Sequence, residues 1–186
     1  SAGLDWRPEE MRDPREHGVA TTPSILDPRV CQGSHEGLLC VYSLSKQSNL
    51  AGYRGAFVAG DPVLVGQLLE VRKHAGMIVP WPVQRAMLAA LSDADHVVAQ
   101  QQRYAARRAA LLPAVEPFGL RDDGSEAGLY LWASAGEDCR VSIERLADRG
   151  ILAAPGDFYG PAGRQHVRIA LTATDERIEA AVRRLG

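Results

Sequence analysis

Residues 41–60, VYSLSKQSNLAGYRGAFVAG, place Lys46 and Arg54, eight residues apart, in a polar turn between two apolar runs that read as strands. Only two of the 21 basic residues are lysines, Lys46 and Lys73, so the composition uses arginine wherever a generic cation suffices. Lys46 in its serine-rich turn is therefore the residue to explain. An amine at a strand end can form a Schiff base when a neighbouring cation or desolvation lowers its pKa and frees the lone pair. Arg54 can be that cation. It can equally clamp a phosphate bidentately, with the hydroxyls of Ser43 and Ser45 donating to the same anion. Gly52 and Gly55 relieve the steric limits on the backbone around Arg54, as close approach to a ligand requires. The competing reading is an exposed loop lysine, because most lysines are surface residues.

Outward from this stretch, the chain has the bulk properties of an ordinary soluble globular protein. Its 186 residues suffice for one good core or two small ones, with 46% hydrophobic and 24% charged residues. A formal net charge of −2 gives no electrostatic case for nucleic acid or an acidic membrane as partner. No apolar run reaches the length of a membrane span, and the N-terminus carries no signal-peptide pattern. The three cysteines, Cys31, Cys40 and Cys139, fit reduced cytosolic thiols better than a disulfide framework. Cys31, His35 and Cys40 match no structural zinc spacing, so no metal is expected. No Walker loop, G-x-S-x-G elbow, G-x-G-x-x-G or H-E-x-x-H occurs.

In chain order, residues 1–36 hold four prolines among many charges and read as an irregular lead-in. Leu38–Leu44 and Gly55–Ala59 read as short strands buried on both faces, as in a parallel sheet, forming an edge fragment of a larger one. Asp61 and Pro62 start a helix whose Val63, Leu64, Leu68 and Val71 share a face, and Gly76 stops it. A second helix follows Pro80, carrying Val83, Met87, Leu88 and Leu91. A longer one, capped by Ser92 or Asp93, runs to about Val115, with Val97, Val98, Leu111 and Leu112 available for burial. Its Arg103, Arg107 and Arg108 read as a solvated helix face. Beyond Pro117 the pattern predicts strands at Leu129–Trp132, Ile151–Ala153 and His166–Leu171, a helix at Cys139–Arg149, and a closing helix at Asp175–Leu185. Arg168, between Val167 and Ile169, faces either solvent, as an edge-strand charge, or a site.

The pattern Ser43-x-Ser45-Lys46 followed by Gly52-x-Arg54 resembles the cofactor-lysine segment of class I/II aminotransferases, fold-type I pyridoxal-phosphate enzymes. The wider wording, SLSKQSNLAGYRGAFVAGDP, VRKHAG, APGDFYGPAG and HVRIALTAT, is similar to the actinobacterial N-succinyldiaminopimelate aminotransferase branch. The likeness covers roughly residues 23 to 185 but only about the second half of such an enzyme. It implies an α/β fold: the C-terminal part of the large cofactor domain plus a small α+β C-terminal domain. The boundaries it suggests are a lead-in at 1–36, the end of the large domain at 37–92, a connecting helix at 93–116 and the small domain at 117–186.

The resemblance also implies roles. Lys46 would carry pyridoxal 5'-phosphate, Ser43, Ser45 and Arg54 would hold its phosphate, and Arg168 would bind the substrate α-carboxylate. The turn 155–160, PGDFYG, resembles the family's loop beside the substrate. An amino acid and a 2-oxo acid would be the substrates, with N-succinyl-LL-2,6-diaminopimelate and glutamate/2-oxoglutarate, in lysine biosynthesis, as the specific case. The expected enzyme is a cytoplasmic homodimer. The family's Asp-x-x-Tyr motif before the lysine has no counterpart here, since Asp5 has no tyrosine three residues on. The sequence thus reads as the C-terminal part of a longer enzyme, with Ser1–Ala2 as a cloning remnant, and is expected alone to bind the cofactor weakly and to be inactive. The alternatives are an aminotransferase-like sensor domain of a transcriptional regulator and an inactive fragment.

Overall fold

One buried carboxylate, that of Asp61, ties the segment before the first described strand to the helix after the second. The computed structural model describes residues 23–186, so the sequence expectations for residues 1–22, Asp5 included, lie outside the described residues. The first helical turn, α1 (Pro28–Cys31), is capped by Asp27, whose side chain accepts from the Arg29 amide. Strand β1 (Leu39–Ser43) leads into the short helix α2 (Leu44–Gln47) and a 3-10 turn at Ala51–Tyr53, and β2 (Ala56–Gly60) returns. Asp61, only 8% exposed, closes this ribbon. One carboxylate oxygen accepts the Gly37 amide at 2.8 Å, and the other accepts the Val63 amide at 2.8 Å at the start of α3 (Pro62–His74). Gly60 is required beside it: its φ is 139°, and a Cβ there would lie 2.2 Å from the Leu38 carbonyl oxygen.

The strands differ from the sequence expectation. β1 and β2 pair antiparallel, Leu39 opposite Gly60 and Ser43 opposite Ala56, and Val41 is 74% exposed. The connection is too short and too turn-rich for the crossover that parallel pairing demands. The expected apolar face of α3 is also open, with Val63, Leu68 and Val71 exposed. By contrast, α4 (Trp81–Leu91) half-buries Val83, Met87, Leu88 and Leu91 as its spacing predicts.

The described chain divides into two compact units, the first ending at Ala99 and the second starting at Gln100. Helix α5 (Asp95–Val115) begins in the first, where the Asp93 carboxylate accepts the Asp95 amide at 2.9 Å. The second unit holds a four-stranded antiparallel sheet of β3 (Arg121–Asp122), β4 (Tyr130–Ser134), β5 (Ala154–Pro155) and β6 (His166–Ala170), in the order β3-β4-β6-β5. Alternation is clean in the central pair. Leu131, Ala133, Val167 and Ile169 are buried, while Tyr130, Trp132, His166 and Arg168 belong to the opposite face. On the buried side lie Leu111 and Val115 of α5, Leu146 of α6 (Cys139–Asp148), and Ile178 and Leu185 of α7 (Asp175–Leu185), forming one core.

Two of the arginines expected on a solvated face of α5 are structural. The Arg107 side chain, 12% exposed, donates to Asp175 at 2.6 Å and to the Leu171 carbonyl at 2.9 Å. Arg108 donates to the Gly128 carbonyl at 2.7 Å. A flexible stem buried along the helix, with its head on carbonyls, is how arginine joins a core it cannot enter as a charge.

The backbone hydrogen bonds from Gly37 and Val63 hold the Asp61 carboxyl below its ordinary value. A depressed folded value means that the stabilisation is present above the ordinary carboxylate range and disappears as pH falls through the folded value. Asp61→Asn is therefore expected to melt below the wild type at pH 7, with the gap narrowing by pH 3. Calorimetric scans of both proteins across that range check it.

Candidate active site

Two groups of polar residues stand out, one in each unit. In the first, the ribbon end is closed by the Leu44 amide donating to the Gly55 carbonyl at 3.2 Å, with the Leu44 side chain fully buried. That closure brings Ser43, Ser45 and Arg54 to the same end of the ribbon. Ser43 caps α2, its oxygen accepting from the Ser45 amide at 3.3 Å, and its hydroxyl lies 3.0 Å from that of Ser45. Arg54 takes the left-handed conformation with φ 55° and spends one N–H on the Ala51 carbonyl at 3.0 Å, its other donors meeting no partner among the described residues. Gly55 packs against α4, since a Cβ there would meet Met87 at 3.0 Å.

Lys46 is exposed at the end of α2 and makes no hydrogen bond or ion pair among the described residues. The other lysine differs: Lys73 donates to Glu70 at 2.9 Å on α3. Elsewhere in this unit, Ser48 meets His96 at 2.9 Å. Among the described residues no group of three or more His, Cys, Asp or Glu side chains is arranged to hold a metal. Nor is any helix there long and apolar enough to cross a membrane.

In the second unit Arg168 stands opposite Trp132 across β4 and β6. Its guanidinium lies 4.1 Å from the Tyr130 ring centroid and 4.9 Å from that of Tyr159. Its Nε is buried with no partner among the described residues, and no carboxylate there pairs with it. Tyr159 ends a 3-10 turn, Gly156–Tyr159, which a second turn, Pro161–Gly163, folds back upon. The fold-back needs two glycines: a Cβ on Gly156 would lie 2.2 Å from the Gly163 carbonyl, and one on Gly163 would lie 2.1 Å from that of Gly156. Asp157 anchors the turn to α6 through a bidentate pair with Arg140 at 2.9 and 3.0 Å. Through Tyr159 the PGDFYG turn lies beside Arg168. Sequence reasoning took Tyr159 only as part of the PGDFYG turn and missed Tyr130, Trp132 and His166; the period-2 alternation of Tyr130 and Trp132 was the available signal, but cross-strand register was not.

The family model for aminotransferase class I and II matches residues 16–185. The chain belongs to the class I and II aminotransferases. A probable aminotransferase of Mycobacterium tuberculosis is 65% identical over 183 residues, 98% of this chain and 41% of that protein. A 4-dedimethylamino-4-oxo-anhydrotetracycline transaminase of Streptomyces rimosus is 60% identical over 171 residues, 91% of this chain and 48% of that protein. Among solved structures, a probable N-succinyldiaminopimelate aminotransferase from Thermus thermophilus superposes with a TM-score of 0.70 at 31% identity, over 82% of this chain and 42% of that one. An aminotransferase from Staphylococcus aureus gives 0.75 at 28% identity, over 89% and 44%. The chain spans less than half the length of these aminotransferases, and its mixed α/β architecture is that of the two solved structures over the part it covers.

Gly156→Val is expected to melt lower than the wild type, because a side chain forced against backbone cannot be absorbed by a rotamer change and overpacking costs about 1 to 3 kcal/mol. Thermal unfolding of the two chains followed by circular dichroism checks this.

Proposed function

We propose that this chain is the C-terminal portion of a pyridoxal-phosphate-dependent aminotransferase that moves an amino group between an amino acid and a 2-oxo acid. The observation that supports it most is the ribbon end: an exposed Lys46 amine without a partner among the described residues, in a turn that also presents two hydroxyls and a guanidinium with one N–H engaged there. That donor set fits the cofactor, since Ser43, Ser45 and Arg54 offer hydrogen bonds and positive charge to a phosphate, and Lys46 offers an amine to an aldehyde. When bound, pyridoxal phosphate supplies a ring that takes up the electron pair left as a substrate Cα–H bond breaks.

The protein's residues do the rest. Lys46 Nζ, once free, accepts the proton from substrate Cα and, as an ammonium, is the acid that returns a proton. Arg168 meets the α-carboxylate with a planar fork of N–H donors, which orients the Cα–H bond more than it alters the chemistry. The working enzyme in this reading is a cytoplasmic homodimer.

For the substrate pair we infer N-succinyl-LL-2,6-diaminopimelate with glutamate/2-oxoglutarate, as in lysine biosynthesis, supported by the likeness to the probable N-succinyldiaminopimelate aminotransferase. A second reading is favoured by the 60% identity to the Streptomyces transaminase: amination of an oxo-anhydrotetracycline. Turnover of the full-length protein with each substrate separates the two.

Borohydride reduction of the cofactor-loaded full-length protein, followed by peptide mapping, is expected to label Lys46. Label on Lys73, which is engaged with Glu70, would remove the assignment. Arg168→Ala is expected to leave cofactor absorbance intact. Loss of a charge-assisted partner costs about 2 to 5 kcal/mol, so kcat/KM should fall by about 30-fold or more. Steady-state kinetics of both half-reactions measure it, and unchanged constants would return Arg168 to an edge-strand charge.

A further inference from the structure

Arg168 has aromatic neighbours where an arginine usually has a carboxylate, and those rings are held by a residue with no role so far. The His166 ring stacks on Trp132, centroids 5.0 Å apart and planes 6° from parallel. Trp132 in turn meets Tyr159 edge-on at 5.8 Å, and Tyr159 is one of the two rings over the Arg168 guanidinium. On the other side, His166 Nε2–H donates to the Asp123 carboxylate at 3.3 Å, fixing the ring plane. Its Nδ1 is buried and without a partner among the described residues, so the ring's place in this stack carries the cost of an unsatisfied nitrogen.

We propose that His166, held by Asp123 and stacked on Trp132, is a positioning residue that keeps Tyr159 over Arg168 and so fixes the direction in which the guanidinium meets a carboxylate. Its functional consequence rests on the reading of Arg168 as the carboxylate-binding residue. The physical reason is that the aromatic faces hold the arginine by its charge without consuming its N–H donors. Such a guanidinium is restrained only as well as the rings are, and Tyr159, 51% exposed, lacks a packed shell of its own. Trp132 supplies the missing wall, and His166 supplies the wall for Trp132.

The test has two arms. The first needs no substrate: in the NMR spectrum of this chain, ring currents from Tyr130 and Tyr159 displace the Arg168 side-chain signals upfield. His166→Ala is expected to move them back toward their random-coil positions, and His166→Phe, which keeps a stacking ring, to restore most of the displacement. Asp123→Ala, at an exposed side chain, shifts the same signals in the same direction and serves if His166→Ala does not fold. Arg168 signals that stay put in a folded variant, or no recovery with phenylalanine, overturn the proposal.

The second arm uses the full-length enzyme. Coupling through packed side chains is worth roughly 3- to 30-fold, and His166→Ala should raise KM for carboxylate substrates within that range at unchanged kcat and cofactor absorbance. If Arg168→Ala leaves KM unchanged while the NMR arm succeeds, the carboxylate assignment fails and the positioning holds. If Arg168→Ala raises KM and His166→Ala does not, the positioning role is overturned and the carboxylate assignment stands.

Discussion

The register between β4 and β6 is the constraint on which the second unit depends. Leu131 faces Ile169 and Ala133 faces Val167 across the buried side, while Trp132 faces Arg168 on the other. Side chains alternate with period two, so a slip of one residue would expose Val167 and Ile169 and drive Arg168 into the core. Each large aliphatic side chain withdrawn from the core costs about 1.5 to 3 kcal/mol. Burying an unpaired guanidinium costs more still. Both effects act in the same direction, so the packing of its neighbours decides which face of the sheet Arg168 occupies. That placement leaves its guanidinium without a carboxylate partner among the described residues.

The surroundings of Arg168 follow from that freedom. A carboxylate beside it would occupy two of its donors and neutralise it. Aromatic faces attract the cation by their quadrupole, worth about 0.5 to 2 kcal/mol, and leave the fork of N–H groups open. Tyr130 comes from the adjacent strand by register alone. Tyr159 arrives by a different route, carried by a turn that closes only because Gly156 and Gly163 lack side chains and that Asp157 ties to Arg140 on α6. Backbone close packing far from the guanidinium thus decides what surrounds it.

Much of this was legible in the sequence where local chemistry decides the outcome. Asp61 with Pro62, and Asp175 and Glu176 opposite Arg183 and Arg184, marked the ends of α3 and α7 because caps and dipoles act within one turn. Val98 and Leu111 were rightly assigned to the buried side of α5. What failed depended on partners distant in the chain. The apolar runs at β1 and β2 carry no mark of direction, and the antiparallel pairing came from the length of their connection. Arg107 looks like any helix-surface cation until Asp175 and the Leu171 carbonyl, more than sixty residues later, are brought against it. The polar turn around Lys46 was visible from composition, but its closure by the Leu44–Gly55 hydrogen bond was not. The strand at Ile151–Ala153 moved to Ala154–Pro155, where pairing with β6 rather than propensity sets the boundary.

The two groups of site residues rest on supports of different strength. Arg168 stands on a sheet backed by a core of fourteen buried apolar residues. In the first unit the fully described side chains that reach comparable burial are Leu44, Val98 and Asp61, while Val41, Val63, Leu69, Val71 and Ile78 remain exposed. Since free energies of local opening scale with buried contacts, the ribbon end opens more readily than the sheet around Arg168. Leu44 and Asp61 therefore carry an outsized share of the order around Lys46, the first by filling the turn from inside and the second by tying both strands to α3. Lys46 itself stands exposed on α2, within the turn that Leu44 fills.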